Sequence, residues 1–221
     1  MNILITSTLY PFPSTPWRGT FVGDHVRLLK EAGHNIRVIA PRPWVPPGWE
    51  RKKPSFKGLK SVPKELLLDD IQVISPRFFS LPGGRSKGWV SRQLKHSAKS
   101  ISKKWIDWKP DIIHSHTILP SCHLAISYGK LASSPVVATV PGWDFDEGIL
   151  NNHSIIKKLL QSIEGLILMR ESQKDIARQL DYNGAMKVLP YPVIVDDIKV
   201  FEKDKVHNDD ISRQYTILFP A

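Results

Sequence analysis

Residues 109–146, KPDIIHSHTILPSCHLAISYGKLASSPVVATVPGWDFD, decide the fold predicted for this chain. Residues 111–114 form a short apolar run, and residues 120–131 carry apolar side chains at helical spacing. Residues 135–140 form a second apolar run that is rich in β-branched side chains. Two buried strands joined by a helix make a right-handed crossover, which places both strands in one parallel sheet. The stretch therefore predicts an α/β protein.

Polar residues follow both predicted strands where each strand ends. His114 and His116 close the first strand, and Gly142 and Asp144 follow the second. In open α/β sheets, ligands bind at the carboxyl ends of the strands. We therefore expect these four residues to lie near one another at the functional edge of the sheet.

The start of the chain predicts another β-loop-α-β unit. Residues 2–8 are predicted as the first strand, residues 21–32 as a helix and residues 35–40 as the second strand. Gly19 lies just before this helix, but the loop lacks the GxGxxG pattern of dinucleotide-binding proteins. A tight turn and an anion site at the helix N-terminus are both compatible with this glycine.

The clearest helical pattern covers residues 90–108. Its apolar stripe consists of Val90, Leu94, Ala98, Ile101, Trp105 and Trp108. The opposite face carries four cations, which are Arg92, Lys95, Lys99 and Lys103. Such a helix either covers a sheet with its lysines in solvent or rests on an anionic membrane, so these four residues are candidates for membrane contact.

The rest of the chain adds shorter predicted elements. Residues 41–64, with six prolines, are predicted as a long loop without periodicity, either a functional lid or a solvated segment. The remaining predicted strands are residues 71–74, 165–168 and 187–189, and the remaining helices are residues 155–163 and 171–180.

Composition limits the classes of function. The chain has 221 residues, a net charge of +10 and one cysteine, Cys122. Such a charge attracts nucleotide phosphates, an anionic membrane or nucleic acid, although no nucleic-acid recognition motif is present. No apolar run approaches the roughly 20 residues that cross a bilayer. We therefore expect a cytoplasmic protein, with peripheral contact to the inner face of the cell membrane as an open alternative, and no nucleic-acid partner.

The polar residues admit two other kinds of site. His114 and His116, with His123 and Asp144 nearby, offer metal-ligand chemistry, but imidazoles at a strand edge often only bond to loop backbone. Asp144 and Asp146 offer a carboxylate pair, although both lie on one loop and hydrolytic carboxylates must flank the bond. We accordingly expect no metal ion and no cofactor.

Five segments resemble glycosyltransferase family 4, which has the GT-B fold. They are residues 1–44, PDIIHSHTILPSCHLAI, VVATVPGWDFD, IEGLILMRESQKDI and KVLPYPVIVDDIKVF, in the family's order. The sequences VISPRFFSLPGG and the Pro-Trp after Pro41 are similar to a subset that builds bacterial surface polysaccharides. The resemblance covers most of residues 1–199.

The resemblance implies a Rossmann-like, open parallel sheet with helices on both faces, as in the N-terminal, acceptor-binding domain of a GT-B enzyme. It assigns residues 1–199 to that domain, residues 200–214 to a linker and residues 215–221 to the first strand of a donor-binding domain not contained in the chain. The implied activity is retaining transfer from a sugar-nucleotide to a glycan or lipid-linked acceptor, with this half inactive alone. A non-catalytic binding or membrane-docking module is the alternative.

The resemblance also implies site residues. Gly19 and Thr20 match the loop that approaches the donor diphosphate. His116 matches the second histidine of the family's His-x-His. The remaining matches are Gly142 and Asp144 of the Gly-x-Asp, and Glu171 of the Ser-Glu pair, where Arg170 replaces the serine. Pro141 occupies the usual position of the cleft histidine and can neither donate a hydrogen bond nor carry a proton, so the catalytic residues stay unassigned.

Overall fold

The computed structural model describes residues 1–80, 87–142 and 144–192, which fold around an eight-stranded sheet. The strands of this sheet are β1 (Asn2–Ser7), β2 (Asn35–Ile39), β4 (Glu65–Leu68), β5 (Ile71–Ile74), β7 (Ile112–His116), β8 (Val136–Val140), β9 (Gly165–Leu168) and β10 (Ala185–Val188). Their order is β10-β9-β8-β7-β1-β2-β5-β4. All of these neighbours pair in parallel except β4 and β5, so the predicted α/β class is confirmed. The predicted linker and the predicted strand at 215–221 lie outside the described residues.

The structure describes six α-helices, and all of them except α2 cover the two faces of the sheet. They are α1 (Thr20–Glu31), α2 (Trp49–Lys52), α3 (Lys87–Lys104), α4 (Ser121–Ala132), α5 (Glu147–Leu160) and α6 (Ser172–Gln179). One face carries α1, whose Val22 and Val26 pack with Ile3 and Ile5 of β1. The other face carries α3 to α6, which share a larger core with Leu4. Among the described helices, none combines the length and apolarity that a bilayer span requires.

The amphipathic pattern of α3 is confirmed. Its predicted stripe is buried, with Leu94 and Ala98 fully enclosed against α4 and the sheet. Each large apolar side chain buried in this way contributes about 1.5–3 kcal/mol, which is enough to orient the helix. The stripe therefore serves to cover the sheet, and the basic face of α3 is left in solvent.

Strand β4 and helix α5 differ from the sequence prediction. The antiparallel edge strand β4 was missed because its sequence, Glu-Leu-Leu-Leu, does not alternate; the tight turn that joins it to β5 places Asp69 and Asp70 at positive φ, which aspartate tolerates. Helix α5 begins at Glu147, eight residues before the predicted start. Gly148 and a non-helical Asn152 weaken the helical pattern of its first half.

The prediction of a loop over residues 41–64 is wrong, because this segment is locally ordered. It contains β3 (Arg42–Pro43), which pairs with β6 (Arg77–Phe78), as well as α2 and two short 3-10 turns. The buried guanidinium of Arg42 donates hydrogen bonds to the carbonyls of Leu59 and Val62 and to Oγ of Ser75. Burial lowers the Arg42 pKa to about 10, which leaves it charged at neutral pH. One cation thus fastens this segment to the sheet.

Candidate functional site

The strand order reverses at β1, in the middle of the sheet. β1 pairs with β2 on one side and with β7 on the other, and Ser7 lies in register with His116. The chain segments that leave β1 and β7 therefore separate to opposite faces at the same edge. Such a switch point opens a crevice at the carboxyl ends of the strands, where ligands of α/β proteins bind.

The loop after β1 returns to this edge at Gly19. Gly19 has φ 66° and ψ 38°, and a Cβ at this position would lie 2.4 Å from the carbonyl carbon of Leu9. The absence of a side chain therefore allows the loop backbone to close on itself. No side chain caps the N-terminus of α1. The amides of Val22 and Gly23 donate to the Gly19 carbonyl, which leaves those of Thr20 and Phe21 available to an anion.

Three imidazoles meet beneath the crevice. His114 and His116, two residues apart on β7, have ring centroids 4.2 Å apart, and His25 of α1 stands edge-on to both at 5.1 and 5.0 Å. His114 Nε2 lies 2.7 Å from Thr139 Oγ1, and His116 Nδ1 lies 2.9 Å from the hydroxyl of Tyr191. Nε2 of His116 is buried without a hydrogen-bond partner.

Burial keeps these imidazoles neutral. Burial, together with the nearby His25, lowers the pKa of His114 to about 3. The pKa of His116 falls well below its ordinary value because of burial and then because of His114 and His25. Burial also lowers the pKa of His25. Near neutral pH the cluster therefore presents uncharged rings with nitrogen lone pairs.

Asp144 holds the loop that follows β7. Its Oδ2 accepts the amide of Ile118 at 2.7 Å, and its Oδ1 accepts the amide of Leu119 at 3.2 Å. The side chain is 1% exposed. Burial raises the Asp144 pKa, and the two amide hydrogen bonds partly oppose that rise. Asp144 thus joins the β8 loop to the β7 loop and is a positioning residue in this structure.

The neighbouring candidates on the β8 loop have distinct surroundings. Pro141 directly follows β8 and is partly exposed, whereas Gly142 is buried with φ 144°. The Gly142 carbonyl accepts the amides of Phe145 and Asp146. Asp146 accepts a hydrogen bond from Arg170 Nη2 at 2.6 Å across the edge of the sheet. The arginine that replaces the family's serine therefore ties the β9 loop to the β8 loop.

Two of the predicted residues, Glu171 and His123, lie away from the buried group that contains His25, His114, His116 and Asp144. Glu171 precedes α6 at the same edge of the sheet, but its side chain is 74% exposed and pairs with Lys174 at 2.8 Å. His123 lies beyond the opposite face of the sheet, where its Nδ1 is 3.2 Å from Oγ of Ser91 on α3. The combination of His123 with His114 and His116 considered from the sequence is therefore wrong.

The four candidate cations of α3 are all exposed, and two of them line a groove. The groove lies between α3, α4 and α5, has a volume of about 650 Å³ and is lined in part by Lys95, Lys99, Lys130 and Lys158. None of its described lining residues is acidic. This surface, which we call the lysine groove, is on the opposite side of the sheet from the three imidazoles.

Sequence reasoning missed two members of the buried group. The first is His25, which lies on α1 between the fully buried Val22 and Val26. A histidine within an inward stripe is the signal that could have suggested a polar partner on the sheet. Tyr191 lies between two prolines, and no local pattern indicates that its ring would stack 5.7 Å from His116.

The chain belongs to glycosyltransferase family 4. The family profile matches residues 19–193, which include Gly19 at the end of the β1 loop and the loops after β7, β8 and β9. This assignment confirms the resemblance drawn from the sequence. The domain is thus a glycosyltransferase family 4 domain with a GT-B-like α/β fold.

Two known proteins show the similarity. The chain is 30% identical over 144 residues to the Bacillus subtilis (strain 168) protein TuaC, which carries the name of a teichuronic acid biosynthesis glycosyltransferase; the match spans 65% of this chain and 37% of TuaC. The fold of this chain is similar to that of Anabaena Alr3699/HepE, as seen in its crystal structure in complex with UDP and glucose. That match has a TM-score of 0.50 and 10% identity, and it covers 88% of this chain and 45% of HepE. The chain thus spans less than half the length of either relative.

Proposed function

We propose that this chain is the acceptor-binding half of a sugar-nucleotide-dependent, retaining glycosyltransferase that transfers a hexose to a glycan or lipid-linked acceptor. One observation carries the proposal. In a family 4 domain, the Gly19 loop, the end of β7 and the β8 loop, which are far apart in sequence, meet at one edge of the sheet. We assign residues 1–199 to this half, residues 200–214 to a linker and residues 215–221 to the first strand of the donor-binding domain, whose remainder lies in the same or a separate chain.

The geometry fits a reaction limited by departure of a nucleoside diphosphate. Negative charge grows on the leaving phosphates, and fixed dipoles directed at them lower the barrier. The uncapped N-terminus of α1 beside Gly19 and Thr20 offers such dipoles. Pro141 supplies no proton donor, and Asp144 is occupied by two amides. In this proposal, this half positions the acceptor and directs the α1 dipole at the leaving phosphates, and the opposing domain binds the donor.

The first prediction concerns the isolated chain of 221 residues. Mixed with UDP-, GDP- and dTDP-sugars and a bacterial lipid extract, it is expected to release no nucleoside diphosphate above the uncatalysed rate, because half of the cleft is absent.

Binding of UDP to the Gly19 loop is tested separately by NMR. In ¹⁵N-labelled protein, millimolar UDP is expected to shift the amide resonances of Gly19 and Thr20.

The amide of Gly33, beyond the other end of α1, is the internal control, since the carbonyl end of a helix repels anions. If UDP shifts the amide resonances of Gly19 and Gly33 equally, the Gly19 loop does not bind the diphosphate of the donor. Multiple turnovers by the chain alone would contradict the division into two halves.

The lysine groove favours a second function, which is docking to an anionic membrane. Four lysine ammonium groups line the groove, and no carboxylate is among the lining residues that the structure describes. Leu131, which lines the same groove, is 52% exposed. Cations combined with exposed apolar side chains suit the interface of a bilayer, and such docking would bring a lipid-linked acceptor within reach.

The second prediction tests this surface. The double substitution Lys99→Gln and Lys158→Gln is expected to weaken sedimentation with phosphatidylglycerol vesicles about thirtyfold, because each lysine near an anionic surface contributes about 1 kcal/mol. The matched control is Lys52→Gln with Lys57→Gln, which removes the same charge from the segment around α2. If both doubles lose binding equally, only net charge acts, and the docking surface is refuted.

A further inference from the structure

The arrangement of the three imidazoles exceeds what the proposed transfer reaction requires. His25, His114 and His116 each offer a ring nitrogen, and these three atoms all lie within 4.8 Å of one another. His114 and His116 are buried, and His25 is partly buried. A side chain that only fills a core has no need to gather three nitrogen lone pairs at one point.

The hydrogen bonds around the cluster leave one buried ring nitrogen, Nε2 of His116, without a partner. Thr139 Oγ1 lies 2.7 Å from Nε2 of His114 and fixes the orientation of that ring. The Tyr191 hydroxyl holds Nδ1 of His116, and the opposite Nε2 is buried and unpartnered. Metal-binding histidines characteristically fix one ring nitrogen through a neighbouring oxygen and present the other to the ion. His116 follows that rule, with Nδ1 at Tyr191 and Nε2 buried without a partner.

We propose that His25, His114 and His116 form a three-histidine site for Zn²⁺. Neutral imidazoles with no thiolate or carboxylate suit Zn²⁺ and its transition-metal neighbours, whereas Mg²⁺ and Ca²⁺ require oxygen ligands. Three protein ligands leave a fourth position for water or an oxygen of a bound molecule. The ion would join α1 to β7 at the switch point of the sheet.

The geometry requires a modest closure. Zn–N bonds of about 2.0–2.1 Å in a tetrahedral site separate the ligand nitrogens by roughly 3.3 Å, so the widest pair must approach by about 1.5 Å. His25 lies on a helix, and rotation about its side-chain bonds moves its ring without a change in the sheet. His114 and His116 already share one face of β7 because strand residues two apart point the same way.

The test titrates the full chain, stripped with EDTA, with Zn²⁺ in competition with a chromophoric chelator. The expected result is one Zn²⁺ per chain and a rise in Tm, because an ion that binds the folded state stabilises it. Co²⁺ is expected to replace Zn²⁺ and give the visible absorption of a tetrahedral nitrogen site. His25→Gln and His116→Gln are each expected to weaken binding at least a hundredfold.

Two further variants separate a built site from scattered surface histidines. Tyr191→Phe retains all three ligands but loses the hydrogen bond to His116, so a ten- to hundredfold weaker affinity is expected with the fold intact. His123→Gln, on the other side of the sheet, is expected to leave affinity unchanged. The proposal is overturned if the wild-type protein does not bind Zn²⁺ at micromolar concentrations. It is also overturned if the folded His25→Gln protein binds Zn²⁺ as tightly as the wild-type protein does. Neither result depends on glycosyl transfer.

Discussion

Replacing Gly19 with alanine is expected to lower the free energy of unfolding by about 2–5 kcal/mol. A residue with a Cβ costs roughly 1–2 kcal/mol in the left-handed region, which Gly19 occupies at φ 66°. The new methyl group would also lie 2.4 to 2.8 Å from backbone atoms of Leu9 and Tyr10, and forced overpacking costs about 1–3 kcal/mol more. Urea unfolding followed by circular dichroism measures the loss.

Gly33 provides the matched control for this substitution. Its φ is 82°, but a Cβ there would meet nothing within 4 Å. Gly33→Ala is therefore expected to cost only the conformational part, about 1–2 kcal/mol. Equal losses in the two variants would show that the close approach of the Gly19 loop to Leu9 is not present in solution. UDP shifts at residue 19 are expected to vanish together with the loop geometry.

Replacing Asp144 with alanine is expected to cost about 3 kcal/mol or more. The substitution removes the acceptor of two amides, those of Ile118 and Leu119, and each buried donor left without a partner costs about 1–3 kcal/mol. Asp144→Asn keeps one carbonyl oxygen and places its NH₂ group against a donor, so an intermediate loss is expected. Thermal and urea unfolding of the three proteins gives the comparison.

Asp146, two residues further along the same loop, is the control. Its carboxylate pairs with Arg170 with both side chains about half exposed, and such pairs contribute 0–1 kcal/mol. Asp146→Ala is therefore expected to change the stability by less than 1 kcal/mol. A loss for Asp144→Ala that is no larger than the loss for Asp146→Ala would contradict the positioning role of Asp144.

The parts of this fold that sequence reasoning predicted are those with strong local patterns. The β7-α4-β8 crossover has apolar runs and a helical stripe, and the stripe of α3 recurs every three or four residues. Local patterns fail where distant atoms satisfy the backbone. The segment after Arg42 has no periodicity, yet its carbonyls at Leu59 and Val62 are held by that arginine.

The candidate site divides in the same way. His114 and His116 could be placed on one face from their spacing alone, because side chains alternate along a strand. Their third partner, His25, comes from a helix about 90 residues earlier. Its place on the inward stripe signals a polar partner, but a single sequence does not show which residues it meets. Likewise, nothing near Asp144 indicates that its oxygens accept amides from the loop after β7. Both features depend on the packing of the sheet.

The central place of β1 also governs the order in which the molecule can form during synthesis. One side of this strand is satisfied by β2 about 30 residues later, but its other neighbour, β7, emerges only after more than 100 residues. Ribosomes add about 5–20 residues per second, so the nascent chain exposes an unpaired apolar strand for several seconds. The crevice between β1 and β7 therefore assembles after β1, β2, β4 and β5 have been synthesised. Until then the unpaired edge of β1 can be bound by chaperones or can aggregate.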